Sequence, residues 1–163
     1  MKPNIDLDQL ADFLVEAKRL TYASDGREVA AERSGFKELE YTDDRFPDLH
    51  YRDSYAGFFQ APGQEVVRYQ GIPVWAMAYV GGMNVGFRHE DFAKRTFSFL
   101  KKALKLVERS KPFRGPSKLS EGEWVYGALN EGDVTDFFGA ESIRYEGRVV
   151  FSQNYIGGLI IHK

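Results

Sequence analysis

Two matching pairs of acidic and aromatic residues are the strongest chemical signal in the sequence. Glu65 lies four residues before Tyr69, and Glu141 lies four residues before Tyr145. In β-strands this spacing places both members of a pair on one face of the sheet. A carboxylate beside an aromatic ring can bind a flat or amphipathic cation, because the ring adds cation–π attraction to the compensating charge. The alternative is that these are solvated charges on exposed hairpins, present twice because the segment was duplicated.

Four further aromatic residues are candidates for the wall of a ligand cavity. Trp75 and Tyr79 share a face of one predicted strand, and Phe151 and Tyr155 share a face of another. Aromatic side chains line many small-molecule sites, but at alternating strand positions they also form ordinary hydrophobic core. Both interpretations stay open. The first predicts a cavity between the two strands, with one of the two glutamates near its mouth.

The sequence gives little support to metal or established catalytic chemistry. His50, His89 and His162 are far apart and none has metal-ligand spacing with another His, Asp or Glu, so we expect no metal site. No phosphate-binding loop, dinucleotide fingerprint or serine nucleophile elbow occurs, and we expect no cofactor. An enzyme of unassigned chemistry that uses carboxylates and tyrosines in a cleft remains the alternative to a non-enzymatic domain.

Basic residues are concentrated in the segment 88–118, which holds ten Lys or Arg against three acidic residues and carries a net charge of +7. Such a segment could bind nucleic acid or another polyanion. A solvated face of an amphipathic helix explains it more simply, because base-stacking aromatic residues are not interleaved with the lysines. We therefore expect no nucleic-acid partner. The basic residues on the polar arc of the predicted helix are Lys94, Lys101, Lys102, Lys105 and Arg109.

Composition places the chain among ordinary globular domains. Its 163 residues carry a net charge of −2 and suffice for a hydrophobic core in a single domain, 1–163. There is no cysteine, which excludes disulfides and thiolate metal sites. The N-terminal residues have no apolar signal-peptide core and no segment has the unbroken apolar length of a membrane span. A cytoplasmic location without membrane association is expected.

The residue patterns predict two helices and two groups of strands. Apolar spacing predicts helices over 6–20 and 90–108, the first with Asp6 as its N-cap and with Lys18 and Arg19 placed to favour the dipole at its C-terminal end. A long loop is expected over 24–35. Runs of β-branched and aromatic residues predict strands at 36–41, 49–55, 57–60, 65–70, 73–80, 123–129, 134–138, 141–146, 148–155 and 159–161.

An internal repeat relates the two groups of strands. Residues 65–82 align without gaps to residues 141–158 at a constant offset of 76, each with a glycine, Gly71 or Gly147, at a hairpin turn that needs positive φ. The predicted fold is α+β: two diverged helix-plus-antiparallel-meander repeats, about 6–82 and 89–161, related by a pseudo-twofold axis. Two main helices would pack on a curved antiparallel sheet.

Neither face of the predicted strand 73–80 suits water, so one face should pack on helices and the other should meet the second repeat or line a cavity. Its two faces carry Trp75, Met77 and Tyr79 on one side and Val74, Ala76, Ala78 and Val80 on the other.

Several short segments together resemble a bacterial and archaeal family known as domain of unknown function 5680. The family has no established activity, but similar domains also occur behind helix-turn-helix regulators, a position often held by effector-sensing domains. A weaker, fold-level resemblance to duplicated gyrase-inhibitor-like regulator domains implies binding of amphipathic molecules between two halves. The segments are 13–18 (FLVEAK), 21–23 (TYA), 51–55 (YRDSY), 71–77 (GIPVWAM), 113–116 (FRGP) and 157–160 (GGLI).

The function that these patterns favour is non-enzymatic binding or sensing of an amphipathic or aromatic small molecule at the junction of the repeats. An enzyme using the same cleft and a polyanion or protein interaction module are the alternatives. Ligand identity and oligomeric state stay open. The ligand-binding candidates are Glu65, Tyr69, Trp75, Tyr79, Glu141, Tyr145, Phe151 and Tyr155.

Overall fold

The structure is a computed structural model that describes residues 5–163; residues 1–4, where no signal peptide is expected, lie outside the described residues. Two helices pack on one antiparallel sheet of nine strands, in the order β1-β2-β3-β4-β5-β9-β8-β7-β6. The α+β class is therefore confirmed. The elements are α1 (Leu7–Leu20), β1 (Glu28–Val29), β2 (Lys37–Tyr41), β3 (Leu49–Tyr55), β4 (Gly63–Tyr69), β5 (Ile72–Met83), α2 (Glu90–Leu104), β6 (Lys118–Glu121), β7 (Trp124–Asp133), β8 (Asp136–Tyr145) and β9 (Arg148–Leu159).

Both predicted helices are present. α2 ends earlier than predicted, and one basic residue at the end of α1 is buried. Asp6 caps α1 as predicted, its Oδ1 accepting from the amides of residues 8 and 9 at 2.9 and 3.1 Å. Lys18 and Arg19 lie in the last turn of α1 as predicted, but the Lys18 side chain is buried and pairs with Glu65. α2 ends at Leu104 rather than at 108, since the chain then tightens into turns that bury Val107.

Neither helix in the described part of the chain is long and apolar enough to cross a membrane.

The strands are longer and fewer than the sequence predicts. Segments 134–138 and 141–146 are one strand, β8, and most of 148–161 is another, β9, while 57–60 forms only an isolated bridge from Gln60 to Gly82. β1, inside the expected loop, and β6 were not predicted. The gap between the two predicted strands contains Gly139, where a Cβ would lie 2.6 Å from the Tyr155 ring. Glycine there admits a cross-strand aromatic ring rather than a turn.

The β4–β5 and β8–β9 hairpins have turns with positive φ, as predicted. Gln70 and Gly71 have φ of 49° and 80°, and Glu146 and Gly147 have φ of 50° and 77°. Positive φ at both central residues is the requirement of a type I′ turn, whose twist matches that of paired strands.

Each of these two hairpins also contains a bulge. The register shifts between Val67 and Arg68 in the first and between Ile143 and Arg144 in the second. Because the bulge adds one residue to β5, Val74 is buried beside Trp75, so the prediction that they point to opposite faces was wrong.

The sheet has one covered face and one exposed face. β5 and β9 pair at its centre, with Tyr79 directly opposite Tyr155. The second face of β5 is not covered by another layer: Val80 is 49% exposed, and Ile156 of β9 is 61% exposed. Together with Phe138 these residues line an open depression on that face.

The apolar core has one part under each helix, and both parts lie on the covered face. Under α1 the buried residues include Leu10, Phe13, Leu14, Tyr51, Trp75 and Met77. Under α2 they include Phe99, Leu100, Ala103, Tyr126, Ile143 and Phe151.

Candidate ligand-binding site

A cavity of about 380 Å³ lies on the covered face of the sheet, between the strands and α2. Gly81 and Gly82 of β5 contribute backbone and no side chain to its lining, which leaves room above the sheet. This volume falls within the range of small-molecule sites. Its aromatic lining residues are Tyr22, Tyr55, Phe58, Tyr79, Phe97 and Phe151.

Asp53 of β3 is the acidic residue of this cavity, and only 3% of its surface is exposed. Its Oδ1 accepts a hydrogen bond of 2.6 Å from the Tyr79 hydroxyl. Among the described residues no donor reaches Oδ2, and no basic side chain forms an ion pair with this carboxyl. Burial, and then the negative charge of Glu65, raise the pKa of Asp53 to about 7, against smaller lowering effects of the Tyr79 hydroxyl and nearby cations. Asp53 can therefore lose its proton near neutral pH.

Glu65 lies directly across the β3–β4 ladder from Asp53 and is also buried. It forms an ion pair with Lys18, which reaches it from α1. Arg114 approaches its other oxygen, with Nη1 3.9 Å from Oε1. Burial lowers the pKa of Lys18, although the charge of Glu65 opposes that effect. Glu65 is thus a compensated charge behind the cavity rather than a free acid at its mouth.

Glu141 of β8 is more completely paired than Glu65. Arg114 donates to its Oε1 through Nε at 2.9 Å and lies 2.7 Å away through Nη2. The Tyr126 hydroxyl donates to Oε2 at 2.6 Å, and Gln153 Nε2 donates to Oε1 at 2.9 Å. Burial alone would lower the pKa of Arg114, but Glu141 and Glu65 raise it well above its ordinary value. The Arg114–Glu141 pair lies in the interior, and the Glu141 side chain has no exposed surface.

Two of the sequence-predicted aromatic candidates, Tyr79 and Phe151, line the cavity. Tyr79 connects Asp53 to the positive charge of Arg114, whose guanidinium carbon lies 5.6 Å from the Tyr79 ring centroid. Phe151 packs edge-to-face on Phe97 of α2.

The other four aromatic candidates lie elsewhere. Trp75 is fully buried, stacks on Phe137, and donates from Nε1 to the carbonyl of residue 134 at 3.0 Å. Tyr69 packs against the core under α1. Tyr145 lies 4.5 Å from the Trp124 ring, in the core under α2. Tyr155 is buried beside Phe137. None of these four lines the cavity beside Asp53.

Sequence reasoning missed Asp53 and Arg114 as site residues. The sequence did contain a signal for Asp53. Tyr51, Asp53 and Tyr55 are spaced two residues apart in β3, so the acidic residue shares one face of the strand with two aromatic residues. Arg114 lies outside the helices and strands, where no periodicity indicates which way a side chain points.

Some of the basic residues of α2 and the following segment are paired with acids from elsewhere in the chain. Lys102 pairs with Glu121 at 2.5 Å, Lys101 pairs with Asp25, and Arg109 contacts two acidic residues of α1. This partial neutralisation weakens the electrostatic argument for a polyanion surface.

The three histidines have separate surroundings. His50 contacts Glu40, His162 contacts the backbone carbonyl of Pro73 at 2.7 Å, and His89 precedes α2 as its N-cap. Within residues 5–163 no group of three or more His, Cys, Asp or Glu is placed to hold a metal ion.

The family of the chain follows from its sequence. The profile of a domain of unknown function, DUF5680, matches residues 53–160, more than half of the chain. The chain belongs to the DUF5680 family. The matched region contains Asp53, Glu65, Glu141 and Arg114, but not Lys18 of α1. No curated protein and no solved structure matches the chain.

Proposed function

We propose that this DUF5680 domain is a non-enzymatic module that binds a small aromatic molecule through a positively charged group held by Asp53. The observation that carries the proposal is a buried carboxylate without a cationic partner, facing an aromatic cavity. An ionised carboxylate is costly to bury unless an opposite charge compensates it. A cationic ligand would supply that charge.

The charge balance around the cavity supports a ligand with one positive charge. The buried acids here are Asp53, Glu65 and Glu141, and the buried cations are Lys18 and Arg114. Two cations compensate two of the three carboxylates. Ionised Asp53 leaves one negative charge uncompensated, and a monocation bound beside it restores neutrality.

The aromatic lining supports a flat ligand rather than an inorganic cation. Tyr22 and Tyr55 meet edge-to-face with ring centroids 6.3 Å apart, and Phe58 and Phe97 do so at 5.5 Å. Such rings give a planar organic cation both apolar contact and cation–π attraction. The site therefore favours an aromatic amine or amidine.

We also infer that the cavity formed at the junction of two duplicated units. The β4–β5 and β8–β9 hairpins share a type I′ turn, a bulge, and a glycine beneath an aromatic ring, Gly63 under Tyr79 and Gly139 under Tyr155, all at the offset of 76 residues. Tyr79 and Tyr155 would be equivalent residues, and they pair directly at the centre of the sheet. Such a pairing supports a pseudo-twofold axis through this point.

Acid–base catalysis in the same cavity is the second candidate function. It is favoured by a carboxyl whose pKa of about 7 suits proton transfer at neutral pH, hydrogen-bonded to the Tyr79 hydroxyl. Chemical conversion of a bound ligand, followed by mass spectrometry, would distinguish this candidate from simple binding.

A thermal-shift screen of aromatic amines and amidines tests the proposed binding. A ligand at one hundred times its dissociation constant should stabilise the protein by about 2.7 kcal/mol. Asp53→Asn keeps the shape of the side chain and removes its charge, so it should abolish the shift. Glu40→Gln, on β2 and outside the cavity, is the matched control and should retain it. Hits that bind Asp53→Asn as well as the parent would refute the proposal.

A further inference from the structure

Three lysines line the same cavity as Asp53, and we call Lys37, Lys94 and Lys101 the lysine rim. Lys37 of β2 is directly opposite Tyr55, which is two residues along β3 from Asp53. Lys94 and Lys101 are seven residues apart on α2, about two helical turns. The Lys101 ammonium lies 5.4 Å from the centroid of the Tyr22 ring, another wall of the cavity.

The rim lysines are available to a ligand because their present partners are weakly held surface charges. Lys101 pairs with Asp25, whose side chain is 82% exposed, and Lys94 pairs with Glu90, with both side chains more than half exposed. Exposed ion pairs contribute little, so an anion on a bound ligand could replace them. In the described part of the chain, Lys37 forms no ion pair.

The cavity is consequently bipolar. Asp53 is the one acidic residue of its lining within residues 5–163, and it is buried, whereas the rim lysines reach solvent. The fourth basic residue of the lining, Arg114, is also buried, but its guanidinium is paired with Glu141. A purely cationic ligand would have to pass three ammonium groups to reach Asp53, and like charges repel it. A ligand that also carries an anion would be attracted to both ends.

We propose that the ligand is a bipolar aromatic molecule, with a cationic group against Asp53 and an anionic group, carboxylate or phosphate, against the lysine rim. This inference rests on the proposed binding function and narrows its ligand class. The aromatic middle of such a molecule would lie between Tyr22, Tyr55 and Phe97.

Calorimetric titration of the full chain with matched probes tests the inference. Benzamidine and amidinobiphenyl, which differ in length, are each compared with the same compound carrying a para-carboxylate at the far end. In low salt the carboxylate should tighten binding about five- to tenfold, the size of one or two favourable surface charge contacts. Added salt should reduce that gain, since exposed charges are screened.

Two triple variants locate the effect. Lys37→Gln/Lys94→Gln/Lys101→Gln should erase the gain from the carboxylate and leave binding of the plain amidines intact or tighter. Lys102→Gln/Lys105→Gln/Lys111→Gln removes the same charge from exposed residues outside the cavity and should keep the gain. Circular dichroism checks that both variants fold.

The outcomes separate this inference from the function on which it rests. If the amidines bind through Asp53 but neither carboxylate improves affinity, or if the gain survives in the rim variant, the bipolar ligand is refuted and the cation site stands. If no amidine binds, both proposals are overturned.

Discussion

Glu65 and Glu141 are 76 residues apart and occupy corresponding positions in two similar hairpins, but their neighbours differ. Across the ladder on one side, Glu65 faces Asp53, whereas Glu141 faces Ala128. On the other side Glu65 faces Met77, whereas Glu141 faces Gln153, which donates a hydrogen bond to it.

This difference distinguishes Glu141, whose charge has a structural role, from Asp53 beside Glu65, whose charge is available to a ligand. Around Glu141 the side chains of Arg114, Tyr126 and Gln153 all donate hydrogen bonds to the carboxylate, and the Glu141 side chain has no surface exposed to a ligand. Beside Glu65 lies a second acid, Asp53, which faces the cavity. Lys18 pairs with Glu65, and Arg114, which is shared with Glu141, lies 3.9 Å from Glu65, whereas no cation forms an ion pair with Asp53 among the described residues. The surplus negative charge is confined to one side of the molecule, so a cation should bind there and not beside Glu141.

Removing Arg114 should have the largest effect on stability. Arg114→Met would leave Glu141 buried without its cation and also deprive Glu65 of a neighbour, at a cost of about 3–5 kcal/mol. Urea unfolding measures the loss. Arg109→Met is the matched control, because Arg109 forms exposed ion pairs and its loss should cost less than about 1 kcal/mol. Equal losses in the two variants would contradict the closed arrangement around Glu141.

Corresponding aromatic residues of the two hairpins should differ in the cost of truncation. Trp75 is fully buried in close contact with Phe137, so Trp75→Ala should cost about 3–5 kcal/mol. Phe151 occupies the equivalent position at the offset of 76 but borders the cavity, so Phe151→Ala should cost clearly less. Denaturant unfolding measures the free energy of unfolding of both variants. A larger loss for Phe151→Ala than for Trp75→Ala would mean that Phe151 is packed in a closed core and does not border a cavity.

The surplus charge at Asp53 should make the protein less stable as pH rises. The folded-state pKa of Asp53 is about 7, above the ordinary value of 3.8, so the folded state holds a proton that the unfolded state has already lost. Stability due to this group is present below about pH 4 and is lost as pH rises to about 7.

Asp53→Asn should therefore be more stable than the parent above pH 7, by about 2–4 kcal/mol, and similar to it near pH 4. The difference between the two unfolding curves isolates Asp53 from other titrating groups. A difference that does not vary with pH would mean that Asp53 is compensated in the folded protein.

The smallest effect is expected on the basic face of α2. Replacing Lys101, Lys102 and Lys105 together with Gln should leave the fold intact and change stability by less than about 1 kcal/mol. The acids that pair with Lys101 and Lys102 are exposed, and Lys105 is itself an exposed residue. Circular dichroism and a DNA titration at low salt test this. Tight DNA binding by the parent that the variant loses would favour the polyanion alternative.

The sequence predicted the helices and both hairpins because local patterns determine them. Asp6 caps α1, and Gly71 and Gly147 are the turn residues that positive φ requires. It could not predict the site in the same way, because Asp53 and Glu65 become neighbours only through the pairing of β3 with β4.

The remaining errors have similar causes. Burial of Lys18 depends on an acid 47 residues away, and a helix-end pattern does not reveal it. β8 was predicted as two strands, 134–138 and 141–146, and the Tyr155 ring that covers Gly139 between them comes from the neighbouring strand. In each case a long-range contact decides what a residue does, whereas periodicity reports only local geometry.

The most direct test of the cation site at Asp53 is calorimetric titration of amidinobiphenyl into the parent and Asp53→Asn at several pH values on both sides of 7. A cation binds the ionised carboxylate, so parent affinity should rise as pH passes through about 7 and then level off. Asp53→Asn should bind at least tenfold more weakly above pH 7, and its affinity should not depend on pH in this range. Equal affinity for the two proteins, or a parent affinity that does not change with pH, would contradict the account.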